Sequence, residues 1–403
     1  MIALAWRNIW RQTRRSLITV AAMSLGAAMC MPMMAMFEGM FSMMFDVAVT
    51  QQTGHVRIEH PDYPETQSMF DTLQGAEAML LELESLPESS AVTWRVYGAG
   101  LLGTEEKSLG AQLIGVDPTR EISVSPTESM LEQGTWLSAP NQILLGHKLA
   151  DELGAVLGDE VVIMTQAADG SIGAGAYTVT GTMRSGNLMR DKQGAWMSLS
   201  DLQELLYIED QVHEVVLLAS GGKDGVGDLQ QKVMAAAGED RLVRSWQQAQ
   251  PQMAEMLKMG ETQSVVMLGI IFFLAGFGVL NTMLMSVFER TRELGVMMAL
   301  GTRPLRLIQL IVTESLLLAV VGAVVGGLLG GGLDYLLCTT GVNLGYGDLD
   351  LNGVVFPERI KGIFHPSQVV LVLSMMMSVT VLASLWPAWR ASRLNPVNAM
   401  KAD

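Results

Sequence analysis

Cysteine is almost missing from this chain. Cys30 and Cys338 are the only two in 403 residues, too few for a disulfide framework. Charge is scarce too: Asp, Glu, Lys and Arg make up 17%, against roughly 25% in a typical soluble domain. Positive charge is the scarcer sign. With 26 Lys and Arg against 41 Asp and Glu, the net charge is −15, which argues against nucleic acid as a partner. The motif G-x-x-x-x-G-K-[ST] does not occur. Gly154-Ala-Val-Leu-Gly-Asp159 has related glycine spacing but lacks the lysine that reaches phosphate, so the chain carries no P-loop. No Ser/His/Asp set sits in a context such as G-x-S-x-G, and no catalytic constellation stands out. His55 and His60, five apart on an expected strand, fall on opposite faces, which argues against a metal site there.

Apolar side chains are abundant, at 49%, with 30 Met and 41 Gly. That content excludes a disordered chain. It is also clustered. Leu17 to Phe45 carries only Glu38; Val265 to Phe288 carries no charge; Leu307 to Leu337 carries only Glu314 and Asp334; Val369 to Leu385 carries none. A helix needs about 20 apolar residues to cross the hydrocarbon core. Four transmembrane helices are therefore expected, at 17–45, 263–288, 305–337 and 367–386. The first run is too long for the apolar core of a signal peptide and no clear cleavage site follows, so it reads as a retained anchor. The short segments 1–16, 289–306 and 387–403 hold 11 of the 26 basic residues, whereas 47–262 holds 13 basic and 31 acidic ones. By the positive-inside rule both termini and the 289–304 segment face the cytoplasm, and 46–262 and 338–366 lie outside.

Within the outer segment, Gly54–Glu59, Val92–Tyr97, Ala111–Val116 and Val212–Leu218 read as strands. Gly75–Leu86 and Val226–Ala237 have helical spacing. This succession predicts an α+β sandwich. Between its parts, Asn141–Leu153 reads as a helix, and Glu160–Thr165 with Tyr177–Thr182 as a hairpin. They form an insert at 119–210, so the outer domain proper comprises 54–118 and 211–246.

The spans carry further signals. Methionines crowd the first one. Met is flexible and polarizable, so the cluster fits ordinary helix packing first and, as the second reading, a deformable wall for acyl chains. Pro32 is a candidate kink. Gly322, Gly326, Gly327, Gly330, Gly331 and Gly332 in the third span permit close helix approach. Glu314 needs a partner, an arginine or a helix end, while Glu38 and Asp334 lie near outer ends where they can reach water.

Two longer segments are more specific. One runs Asn281-Thr-Met-Leu-Met-Ser-Val-Phe-Glu289-Arg-Thr-Arg-Glu293-Leu-Gly295 to Gly301. The other is Trp386-Pro387-Ala388-Trp389-Arg390-Ala391 through Pro396 to Met400. Placed after the second and fourth spans, they resemble the two cytoplasmic blocks of the FtsX/MacB-type (type VII) permeases of ABC transporters. Gln112–Pro118, Ile143–Gly154, Gly158–Val162 and Ser245-Trp246 are similar to the outer domain of the lipoprotein-releasing Lol permeases. The resemblance implies a periplasmic porter module with a sabre-like insert. One departure is plain: the hairpin loop at 166–177 is shorter than in the Lol permease that recruits a periplasmic carrier, and lacks its proline and basic character.

The resemblance implies an inner-membrane permease subunit of a Gram-negative bacterium, without catalysis of its own. ATP and Mg would be bound by a separate ABC ATPase. A second permease copy or paralogue, membrane lipid or lipoprotein cargo, and a periplasmic carrier are the further implied partners. Leu294, Met297, Met298 and Gly301 fall on one helical face, with Arg290 and Glu293 adjoining. With Glu289, Arg292 and Gly295 they form the expected ATPase-coupling helix, its apolar side seated in the ATPase. Met36, Met40, Phe41 and Met44 of the first span, with Val265, Leu268 and Phe272 of the second, are the expected cargo wall. The alternatives are a mechanotransmitting regulator that moves no cargo, and drug or peptide efflux with a periplasmic adaptor.

Overall fold

A computed structural model of the chain describes residues 2–11, 13–46, 49, 53–238, 240–343, 350–351, 354–355 and 359–394. Two units separate, one made of 1–41, 258–344 and 359–403, the other of 42–257 and 345–358.

The first unit is helical. Among the described residues, four helices are long and apolar enough to cross a membrane: Ser16–Phe45, Pro251–Glu289, Pro304–Thr340 and Pro366–Ser392. Pro32 and Pro387 lie inside the first and fourth helices without ending them; in hydrocarbon an interrupted backbone has no water to satisfy it. The second helix begins at Pro251, twelve residues before the apolar run expected from 263. Its 39 residues measure about 58 Å, so the helix outruns the roughly 30 Å core.

The third helix packs on the first through Gly322, Gly326 and Gly330, one helical turn apart. A Cβ at Gly326 would stand 2.9 Å from Ala27 Cβ, and one at Gly330 would stand 2.5 Å from Met31 Sδ. Gly331 and Gly332 face open space and take no part in this contact. The core between the spans comprises Met23, Ala27, Cys30, Met31, Leu268, Phe272, Val279, Leu318 and Met376. Ser315 Oγ donates to or accepts from Ser384 Oγ at 2.9 Å, tying the third helix to the fourth. Ahead of the first span, Ile2–Arg11 forms a short helix that buries Ala5 and Ile9 and exposes Trp6 and Trp10. Asp334 does not reach water as expected. It is 3% exposed, six residues before the helix ends at Thr340.

The second unit is built on a sheet of ten strands. Nine follow the order 242–245, 56–59, 214–219, 89–103, 108–116, 194–198, 142–146, 172–183, 131–134, and the 160–166 strand pairs with both 89–103 and 172–183. Most pairings are antiparallel. The parallel pair of Gln112–Val116 with Gly194–Ser198 joins the 119–210 segment edge-on to the remaining strands. Helices Ala76–Glu84 and Val226–Ala237 contribute Leu80, Leu83, Leu229 and Val233, all at most 1% exposed, to a core with Val56, Ile58, Val96, Leu113, Val215 and Leu217.

Asn141–Leu153 is not one helix. Gln142–Gly146 is a strand and His147–Leu153 a helix. Ile143, Leu144 and Leu145 are all fully buried, and three consecutive buried side chains suit a sheet covered on both faces, not a helix with one apolar stripe. The hairpin is longer than its sequence suggests, with strands Glu160–Gln166 and Ile172–Met183.

Candidate functional site

The segment between the second and third spans is a helix, Thr291–Ala299, set off by two breaks. At Arg290 the backbone leaves helical geometry (φ −104°, ψ 14°), while its carbonyl still accepts from Leu294 N–H at 2.9 Å. At the other end Gly301 has φ +88°, a left-handed conformation that glycine adopts without steric cost. Gly301 N–H donates to Met298 O and Thr302 N–H to Met297 O, closing the helix end. Pro304 then opens the third span, where its missing N–H leaves no bond unmade.

Three ion pairs among four side chains hold this helix to its own unit. Arg290 Nη1 lies 3.1 Å from Glu314 Oε2, and Arg290 Nε 3.2 Å from Glu293 Oε2. The other oxygen of Glu293 lies 3.1 Å from Arg11 Nη1, on the N-terminal helix. Glu314 is 7% exposed, so its expected partner is found in Arg290.

The apolar side faces inward, against expectation. Leu294 is 2% exposed and packs in a cluster with Val287, Leu307, Ile311, Ala388 and Ala391, with Met297 against it. Gly295 is buried, and Met298 is half-buried. A short helix between two spans meets the apolar ends of those spans before any partner, and its stripe is consumed there. Ala388 and Ala391, both 0% exposed, belong to the second sequence block, so the two distant blocks meet at one contact. Arg390 lies over the rings of Phe288 and Trp386, at 5.2 and 5.6 Å from their centroids. The outward surface is Glu289, Arg292, Glu293, Val296, Ala299, Leu300 and Gly301. Val296 and Leu300 were missed in the sequence, although their spacing from Arg292 at i+4 and i+8 places them on one face. The Asn395–Met400 part of the second block lies outside the described residues.

The seven residues of the expected cargo wall do not share a surface. Leu268 and Phe272, 1% and 2% exposed, belong to the core between spans, and Met44 is fully buried. They were placed by depth along the helix, which does not reveal rotation about its axis. Met36, Met40 and Phe41 are half-buried, and Val265 is exposed. The Phe41 ring packs on Gly260, where any Cβ would overlap it. Phe272 nevertheless lines an apolar groove of about 350 Å³ between the second and fourth helices. Phe273, Phe277, Leu280, Met375, Val379 and Leu382 line it.

The two histidines lie just outside the strand expected to carry them, on either side of Val56–Glu59. His55 is 7% exposed and accepts from Ala219 N–H at 2.9 Å. His60 lies at the surface, 3.8 Å from Asp62 and 3.9 Å from Asp71.

Comparison with known proteins places these features. Residues 16–234 match the MacB-like periplasmic core domain and residues 265–396 the FtsX-like permease C-terminal domain. Among curated relatives, the lipoprotein-releasing system transmembrane protein LolC of Xylella fastidiosa is 24% identical, over 74% of each chain. The pyoverdine export ATP-binding/permease protein PvdT of Pseudomonas fluorescens is 24% identical, covering 100% of this chain and 59% of that protein. Among solved structures, the periplasmic region of MacB from Actinobacillus actinomycetemcomitans aligns with a TM-score of 0.37 at 13% identity. It covers 51% of this chain and 94% of that one.

Proposed function

Since the chain belongs to the FtsX/MacB-type permease family of ABC transporters, we propose that it couples a separate ATPase to an outer domain and releases lipid-like cargo from the inner membrane. The observation that carries this reading is the joint at Leu294. There the connecting helix, the third span and the Ala388–Ala391 turn of the fourth pack as one body. A push on that body is passed to two spans at once. The docking surface is the outward face, with Arg292, Val296 and Leu300 at its centre and Glu289 and Glu293 at its rim. ATP and Mg belong to the ATPase, because this chain has no P-loop of its own.

The relative LolC is named for lipoprotein release, and the methionine-rich first span suits acyl chains. Cargo of this reading contacts Met36, Met40 and Val265. Both termini lie in the cytoplasm and the sheet-based unit in the periplasm, as the arginine distribution requires. A second permease copy or paralogue completes the complex.

Affinity purification of the full chain in mild detergent, with copurified proteins and lipids identified, tests the proposal. Recovery of an ABC ATPase together with acylated cargo is expected, and the chain freed of ATPase should hydrolyse no ATP above background. An ATPase without any acylated species would remove the cargo assignment. Robust hydrolysis by the verified ATPase-free chain would overturn the permease reading itself.

A further inference from the structure

The short helix Ile2–Arg11 lies against the third span and buries Ala5 and Ile9 there. Its two tryptophans are left out of that contact. Trp6 is 44% and Trp10 63% exposed, and their rings meet edge to face with centroids 6.0 Å apart. Beside them runs an apolar groove of about 190 Å³, walled by Trp6, Trp10, Leu17, Val20, Leu318 and Val321. Ser16 also lines it, but its Oγ is engaged, donating to Ile9 O at 2.9 Å. An apolar groove of this kind is not filled by ordered water.

The groove lies where headgroups give way to hydrocarbon. Leu17 begins the apolar run of the first span. Leu318 and Val321 stand one and two turns beyond Glu314, the carboxylate that Arg290 holds at the connecting helix. Tryptophan is the side chain that favours this depth. Two exposed arginines accompany the walls. Arg7 stands one turn before Trp10 on the short helix, and Arg14 one turn before Leu17 on the first span. Arg11, between them in sequence, is paired with Glu293 at 3.1 Å. Arg7 and Arg14 make no ion pair with any described residue. An apolar segment of another protein would use the walls and leave both arginines idle. A lipid with a negative headgroup uses walls and arginines together.

We propose that this groove seats an acyl chain of an anionic phospholipid, with the phosphate held by Arg7 and Arg14. A guanidinium matches phosphate through parallel N–H donors, and arginines beside a span attract anionic lipid. From Thr13 to Val20 the groove follows the first span for about 10 Å, so the methylenes nearest the headgroup fill it. This lipid is distinct from the proposed cargo, because Met36 lies about 24 Å beyond Val20 along the same helix. Since Arg11 of the short helix holds Glu293, the bound lipid steadies that helix against the connecting helix. Lipid binding is a property of this chain alone and does not depend on the cargo or ATPase readings.

Native mass spectrometry of the delipidated full chain in detergent tests it, with phosphatidylglycerol and phosphatidylcholine of matched chains as probes. The first phosphatidylglycerol should bind about tenfold or more tightly than the first phosphatidylcholine, because two arginines act on its net charge. The double variant Arg7→Gln, Arg14→Gln should bring the two lipids level. Both side chains are exposed, and Arg11 and Arg15 remain to orient the span. Val321→Phe fills the groove from the third span and should abolish the preference as well. An unchanged thermal midpoint reports that each variant is folded. Should Val321→Phe lower it, Leu17→Ser, at a side chain 66% exposed, opens the facing wall instead. Equal binding of the two lipids by the wild-type chain would overturn the proposal and leave the groove to an apolar protein segment. A preference that survives in the folded arginine variant, or in the folded groove variant, would overturn it too.

Discussion

Replacing Leu294 or Leu300 with Asp separates the joint from the docking face. Leu294 is 2% exposed, inside the cluster with Ala388 and Ala391. Truncating a buried leucine costs about 2–5 kcal/mol, and an unpaired buried carboxylate adds several more. Against a typical stability of about 5–15 kcal/mol, Leu294→Asp should lower the folded membrane level severely. Leu300 is 82% exposed, so Leu300→Asp should change stability by no more than about 0.5 kcal/mol. If an ATPase buries that side chain, the loss is about 1.5–3 kcal/mol, or roughly ten- to hundredfold in affinity. Membrane level, the thermal midpoint in detergent and titrated ATPase recovery should be measured on the same preparations. The expected pattern is low yield for Leu294→Asp, and normal yield with weak ATPase recovery for Leu300→Asp. The opposite pattern, a stable Leu294→Asp that alone loses the ATPase, would refute the inward orientation of Leu294.

Other outcomes follow from the same coordinates. His213 is fully buried; Tyr97 N–H donates to its Nδ1 at 3.1 Å, so Nε2 carries the proton toward Met69 O at 3.3 Å. Burial lowers its pKa from 6.5 to about 4, so between these values the unfolded chain binds the extra proton. Stability of the sheet-based unit should be level in this respect above pH 6.5 and fall by up to about 3 kcal/mol toward pH 4. Hydrogen exchange of peptide 211–219 across a urea series reads this, and a His213→Gln variant with the same pH profile would dismiss the assignment. Gly326→Leu should lower the detergent thermal midpoint by an amount equivalent to about 1–3 kcal/mol, whereas Gly332→Leu, with no atom within 4 Å of its Cβ position, should not; equal effects would contradict the packing account. In a chain lacking Cys30 and Cys338, Ser220→Cys should react with an impermeant maleimide in cells whose outer membrane is permeabilised. Labelling only after lysis would reverse the topology.

The candidate site was partly legible in the sequence. The two blocks announced themselves as polar, patterned segments at the ends of apolar runs, and the need of Glu314 for a partner follows from the cost of a carboxylate in hydrocarbon. Its partner was not legible. Arg306 is nearer in sequence, but the break at Arg290 turns that guanidinium back onto the third span. The scatter of the expected cargo-wall residues has a similar reason. Depth in a membrane counts residues along one axis, while exposure of Leu268 or Phe272 depends on rotation about it.

The four spans, the missing P-loop and the charge asymmetry were determined by the sequence alone. Each rests on a one-dimensional requirement: about 20 apolar residues to cross a bilayer, a fixed phosphate-binding motif, and arginines counted in short loops. The strand at Gln142–Gly146, the inward turn of Leu294 and the groove beside Trp6 and Trp10 were decided only by tertiary structure. Periodicity reveals that a helix has an apolar side, but not which surface reaches that side first. Val20 and Leu318, 298 residues apart in sequence, line one groove only when the first and third helices come together.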